Sequence, residues 1–209
     1  MRDVPGVILT ATMWAYYGVS VPVMVARARR RTGHPVGFVP ELRRERVMWL
    51  IWAPLMAAWM VLPYLAITRR HPLLAVPPIA LADPVLATAR WAAAVCGVLC
   101  FFGVLTCIAR MGTNWRVAVV PSQRTELVTE GLYARIRHPI YGFNVLLMLC
   151  SAIIVPTVPM CAVGAVHVAL IVLKVRNEER FLLATHGAAY AAYCRRTGRF
   201  FPRLPARNS

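Results

Sequence analysis

The 209-residue chain is 59% hydrophobic and only 15% charged, with a mean hydropathy of +0.58. Soluble domains carry about 45–50% apolar and about 25% charged residues, so a water-soluble globule is excluded and an all-α integral membrane protein is expected. The formal net charge of +16 does not point to nucleic acid, because its arginines crowd between apolar runs rather than along one basic surface.

Low-charge stretches occupy residues 4–26, 47–67, 84–109 and 139–175, and about 20 apolar residues of helix cross a hydrocarbon core. The first is long enough to span and lacks the short core and small-residue site of a cleaved signal, so it reads as a retained helix. The last is too long for one helix. Its middle reads VPTVP at residues 155–159, and proline removes an amide donor and disfavours helix in the residue before it. The stretch therefore splits into a hairpin, giving five expected spans. Within the loops, Asp83-Pro84 has the form of a helix cap followed by a first-turn proline. Arg70-His71-Pro72 and His34-Pro35 read as ordinary interfacial connectors.

Arginines recur at 27–31, 43–46, 110–137 and 176–207, whereas 150–167 has neither lysine nor arginine. Short loops rich in Lys and Arg face the cytoplasm, which sets the amino terminus outside and the carboxyl terminus inside. Basic flanks also attract anionic membrane lipid. Six cysteines occur without a CxxC pair, and five fall in expected spans, so they read as packing residues rather than disulfide or zinc ligands. Trp49, Trp52 and Trp59 read as belt and packing residues. His167, inside the fifth expected span, is an ionisable group that is costly there and often functional, or equally a neutral histidine bonded to a backbone carbonyl near the outer end, the reading preferred.

The connector at 110–138, MGTNWRVAVVPSQRTELVTEGLYARIRHP after its arginine, is longer than a simple connector and too apolar for disorder, so it is expected to fold over the inner membrane surface. It ends in Arg135, Arg137 and His138, set against Pro139 at a helix entrance, where exposed amides and the helix dipole favour anions. Tyr141 follows one turn later. Across the hairpin stands an adjacent acidic pair, Glu178-Glu179. A cationic cluster and a carboxylate pair at one end of a hairpin suit a zwitterionic ligand. Beyond them, Phe181, Leu182, Tyr190 and Tyr193 recur at roughly helical spacing with a bend or break expected between them at His186-Gly187, and the basic, aromatic tail ending in Phe200-Phe201-Pro202 suits the headgroup region. Tyr190 and Tyr193 are read as packing residues that could also cover a ligand.

LVTEGLYARIRHPIY, the charge-poor hairpin and NEERFLLATHGAAYAAYCRRTGRFFP resemble the membrane-embedded isoprenylcysteine carboxyl methyltransferase family and its phospholipid methyltransferase relatives over Leu127 to Pro202. The resemblance implies S-adenosylmethionine as cofactor, bound by Leu127, Val128, Tyr133, His138, Tyr141 and Glu178 at a cytoplasmic site, with Glu179 beside them. It implies that Lys174 or Arg176, with Arg137, meets a lipophilic or lipidated substrate. A carboxylate acceptor needs no base at about pH 7. An amine or thiol would need one, with Glu179 and His138 the candidates. Three departures from the family pattern stand out: Gly142 follows Tyr141 directly with Phe143 in the usual glycine place, His186 replaces an aromatic, and Lys174 replaces an arginine and cannot form the same two-pronged bond. The chain is expected to be one membrane-embedded unit, residues 1–110 supplying three spans and 111–209 the cofactor loop, hairpin and tail. The rival reading is a non-catalytic transporter or scaffold, but the sequence lacks the inverted repeat typical of transporters.

Overall fold

The computed structural model describes residues 3–33, 43–68, 71–112, 115 and 126–203. His34-Pro35, Arg69-Arg70 and most of the 113–125 stretch of the long connector lie outside the described residues. Among the described residues seven α-helices run in chain order: α1 (Val4–Met13), α2 (Val21–Thr32), α3 (Arg43–Thr68), α4 (Pro78–Ala82), α5 (Pro84–Met111), α6 (Pro139–Ile154) and α7 (Val158–Arg196). A π-helical segment, Trp14–Ser20, joins α1 to α2 in one rod. Among the described residues there is no strand, only an isolated parallel bridge between Ile136 and Gly198.

Local chemistry sets the helix starts. Asp83 caps α5 through a hydrogen bond from the Leu86 amide at 2.9 Å, with Pro84 as its first residue. Thr157 caps α7 and accepts from the Met160 amide. Between α6 and α7 the VPTVP break falls where proline chemistry demands it, and the hairpin forms. Among the described residues four helices, not five, have the length and composition to cross a membrane: Val4–Arg31, Arg46–Thr68, Pro84–Met111 and Val158–Arg196. The fifth expected span, α6, has 16 residues, about 24 Å at 1.5 Å per residue, and falls short of a core of about 30 Å. Conversely α7, at 39 residues, is about 58 Å long. Its first half, 158–175, is apolar, and the half beginning at Arg176 carries most of its charged residues. Gly187, at φ 50° and ψ −123°, kinks this outer half at the expected break, a left-handed conformation that glycine adopts without steric cost.

The most extensive helix packing is between α5 and α6. Phe143 of α6 lies over Gly103 of α5, where a Cβ would come within 2.7 Å of its ring. Next to it, Gly142 lets the chain pass under the Phe200 carbonyl, which a Cβ would approach to 2.7 Å. The inverted Gly142-Phe143 order therefore serves two contacts: the aromatic fills the α5 groove while the glycine admits the tail.

At the end of the bundle where α1 and α5 begin, the buried Arg90 donates to the Ile154 carbonyl at 2.8 Å and pairs with Asp3. Asp3 also caps α1 by accepting from the Gly6 amide. One ion pair thus ties α1, α5 and the α6 terminus together. Removing one partner of a buried pair strands the other charge, so Asp3→Ala is expected to destabilise by about 3 kcal/mol in thermal unfolding in detergent. Exchanging both Asp3 and Arg90 for leucine should recover most of that loss.

Candidate functional site

A cavity of about 630 Å³ runs through the bundle from an apolar chamber to a polar mouth. Such a volume lies within the range of small-molecule sites. The chamber is walled by Tyr16 and Tyr17 of the π-helical segment, Trp52 and Met56 of α3, Asn144 of α6 and His167 of α7. The mouth is walled by Leu127, Val128, Tyr133, His138, Tyr141 and Glu178, with Lys174 between the two regions and Tyr190 and Tyr193 of the outer α7 half closing over it.

The mouth is assembled by backbone pairing. Its floor is the 3-10 turn Gly131–Ala134, which buries Tyr133. The tail then returns along 135–138: the Gly198 amide donates to the Arg135 carbonyl at 3.0 Å, the Arg137 amide to Gly198 at 2.8 Å, and the His138 amide to Arg199 at 3.0 Å. The Tyr193 hydroxyl donates to the Tyr133 carbonyl at 2.6 Å. The tail is therefore held on the helix entrance by its main chain as well as by its side chains. A β-carbon at residue 142 would collide with this return, so Gly142→Ala is expected to lift the tail. Limited trypsin digestion should then cut at Arg195, Arg196 and Arg199 faster than in the wild type.

The two glutamates face different partners. Glu178 Oε1 accepts from the Tyr141 hydroxyl at 2.6 Å and lies 3.6 Å from Lys174 Nζ, while Oε2 is 3.7 Å from His138 Nδ1. Glu179 instead accepts from Arg137 Nε at 3.0 Å and from Arg199 at 2.6 Å. Burial alone would raise its pKa, but bonds from His138, Arg199 and Arg137 outweigh that and hold it down to about 2. His138 Nε2, 3.4 Å from Glu179, makes no aligned hydrogen bond among the described residues, and neither do the buried hydroxyls of Tyr133 and Tyr190. Burial drives both phenols well above their ordinary pKa, so both remain O–H donors.

Residues 92–184 match the model of the isoprenylcysteine carboxyl methyltransferase (ICMT) family. This segment is ICMT-like. It contains most of α5, the 126–138 floor, the hairpin and Glu178-Glu179, so the family match falls on the elements that form the mouth. Two curated proteins are similar over part of their length. The cobalt-zinc-cadmium resistance protein CzcN of Cupriavidus metallidurans is 37% identical over 99 residues, 46% of this chain and 45% of that protein. The nickel-cobalt-cadmium resistance protein NccN of Alcaligenes xylosoxydans xylosoxydans is 33% identical over 98 residues, 46% of each. The chain spans about half the length of these curated relatives. Among the described residues no group of three His, Cys, Asp or Glu side chains could hold a metal ion.

Of the residues that the sequence singles out, Leu127, Val128, Tyr133, Arg137, His138, Tyr141, Lys174 and Glu178 line the cavity, whereas Glu179 and Arg176 do not. Arg137 reaches it only edge-on, since its guanidinium also donates to the carbonyls of Cys194 and Thr197. Glu179 is engaged in the same cluster, and Arg176 is exposed. His167 accepts from Trp52 Nε1 at 3.2 Å, so its partner is an indole rather than the expected carbonyl. The sequence reading misses Tyr16, Tyr17 and Asn144. Their signal was present: the Tyr17 hydroxyl donates to Asn144 Oδ1 at 3.3 Å, and polar groups inside apolar helices usually face protein rather than lipid.

Proposed function

We propose that the protein transfers a methyl group from S-adenosylmethionine to a lipophilic acceptor at the membrane, with the carboxylate of an isoprenylcysteine-like molecule as the acceptor that best fits. The observation that carries this reading is the mouth itself. At the mouth, two cavity-lining hydroxyls, Tyr133 Oη and Tyr190 Oη, are buried without a hydrogen bond among the described residues, and His138 Nε2 has only the Glu179 carboxylate, 3.4 Å away. Buried polar groups normally find partners, and this set of one acceptor and several donors suits an amino acid head. Glu178 would meet the ammonium, and His138 with the two phenols would meet the carboxylate. Leu127 and Val128 would bound the rest of the cofactor. The family is one of S-adenosylmethionine-dependent methyltransferases, which supports the choice.

The cofactor supplies an electrophilic methyl group. The chain's part is to hold both ends of the encounter and keep water out. Lys174, buried beside the chamber with its Nζ 5.9 Å from the Trp52 ring centroid, would draw an anionic acceptor to the junction of mouth and chamber. A carboxylate is already ionised near neutrality and asks for no base. Should the acceptor be a lipid amine or small thiol, His138 is the cavity-lining candidate to take its proton, because Glu179 is held by Arg137 and Arg199. Tyr190 and Tyr193, anchored through Tyr133, close the mouth. In this reading the polar mouth faces the cytoplasm, the amino terminus lies outside, and the acceptor enters from the bilayer.

Isothermal calorimetry of the purified protein with S-adenosylhomocysteine tests the reading. Saturable one-to-one binding is expected. Absence of binding by folded protein would favour a non-catalytic membrane role.

A further inference from the structure

His167 is absorbed neither by the mouth nor by helix packing alone. It is 1% exposed, yet lines the apolar chamber. Its ring is fixed edge-on against Trp59 at 4.9 Å and Trp52 at 5.6 Å between centroids. Trp59 is itself anchored by donating to Ser151 Oγ at 3.0 Å. An indole nitrogen can only donate. Because Trp52 donates to Nδ1, the neutral imidazole carries its proton on Nε2, and no described residue accepts from that N–H. A buried donor in apolar surroundings is costly unless something accepts from it.

The chamber also has a ruler. His167 and Lys174 are seven residues apart on α7, two turns along one face, hence about 10 Å apart on the helix axis. Trp52 lies between them, its N–H on His167 and its ring beneath the Lys174 ammonium. A purely hydrocarbon occupant would leave the His167 donor unused, and an anion at that depth would be expelled.

We propose that the chamber is a binding site for an amphiphile with a neutral hydrogen-bond-accepting oxygen, a carbonyl, ether or hydroxyl, within its apolar body. That oxygen lies about 10 Å from the end presented to Lys174 and accepts from His167 Nε2–H. This inference rests on reading the chamber as the acceptor's end of the site, and within that reading it replaces an all-hydrocarbon isoprenoid chain with one that carries an oxygen.

The test needs no turnover. Protein labelled with ¹⁵N-histidine in nanodiscs is titrated with octadecanoic acid and with its 4-oxo, 9-oxo and 14-oxo derivatives, following the His167 Nε2–H resonance, assigned by its loss in His167→Gln. The 9-oxo acid should shift that resonance and half-saturate at about five- to tenfold lower concentration than octadecanoic acid, the worth of one neutral hydrogen bond. The 4-oxo and 14-oxo acids should behave like the parent, and His167→Leu should abolish the 9-oxo advantage. Equal half-saturation for all four acids, no shift with any of them, or an advantage that persists in His167→Leu would overturn the proposal. If His167→Leu does not fold, the wild-type resonance decides. S-adenosylhomocysteine binding on the same sample separates the two readings, since failure here with that binding intact removes only the oxygenated acceptor.

Discussion

Glu178→Ala is expected to lose roughly 10- to 150-fold in affinity for S-adenosylhomocysteine, the effect of removing a charged hydrogen-bonding group worth about 1.5–3 kcal/mol. Calorimetry of wild type and variant in the same detergent reads it directly. The expectation follows from position: Glu178 lines the mouth, held by the Tyr141 hydroxyl and flanked by Lys174 and His138. Glu178→Gln keeps the shape and the Tyr141 contact but removes the charge, so it should fall nearly as far. Tyr141→Phe leaves the carboxylate in place without its orienting bond and should lose less. If Glu178→Ala binds like the wild type, the ammonium is not held there.

The second large effect belongs to Arg137. Its guanidinium donates to Glu179, to the Cys194 carbonyl and to the Thr197 carbonyl, joining the helix entrance, the acidic pair and the tail. Arg137→Ala leaves Glu179 with less compensation and two carbonyls unpaired, so a loss of about 2–3 kcal/mol is expected, seen as a lower unfolding temperature and rapid tryptic loss of the tail. Arg137→Lys should rescue only part of it, because an ammonium cannot fork between these acceptors. The cluster should also be acid-resistant. Glu179's folded pKa of about 2 lies below its ordinary value of 4.5, so ionisation favours the folded form. That contribution is fully present above about pH 4.5 and is lost only as pH falls toward 2. Tail protection at pH 5 should therefore match that at pH 7, and an Arg137→Ala protein should already lack it at both.

These two residues also show what the sequence makes legible. The opposed poles of the hairpin, the VPTVP break, the Asp83-Pro84 cap and the Gly187 kink are local signals, each carried by the chemistry of a few adjacent residues, and each is found in the fold. The division of labour inside the acidic pair is not local, but helical geometry supplies it. Successive residues turn by about 100°, so Lys174 and Glu178 share a face on the cavity while Arg176 and Glu179 point elsewhere. A motif read as a string treats neighbours as equivalent, and the helix separates them.

Other features depended on distant chain. Tyr16 and Tyr17 belong to a run that hydropathy reads only as a span. Their entry into the cavity follows from the π-helical turns at Trp14–Ser20, which shift side chains around the axis and recur at functional sites. The return of the tail along 135–138 is main-chain pairing between segments some sixty residues apart, with Gly142 as its one trace in the sequence. The shortfall of α6 was hidden because proline marks where a helix breaks but does not say how near to an interface the break lies.

The most direct measurement of the central claim, one cavity with a cofactor mouth and a membrane-embedded acceptor chamber, is label transfer. Membranes containing the wild-type protein or Glu178→Gln are incubated with methyl-labelled S-adenosylmethionine, and the products are partitioned into organic solvent. Label entering the organic phase with the wild type and falling to background with Glu178→Gln is the predicted result. If wild-type protein that binds S-adenosylhomocysteine leaves all label in the aqueous phase, or transfers it equally without Glu178, the account is contradicted.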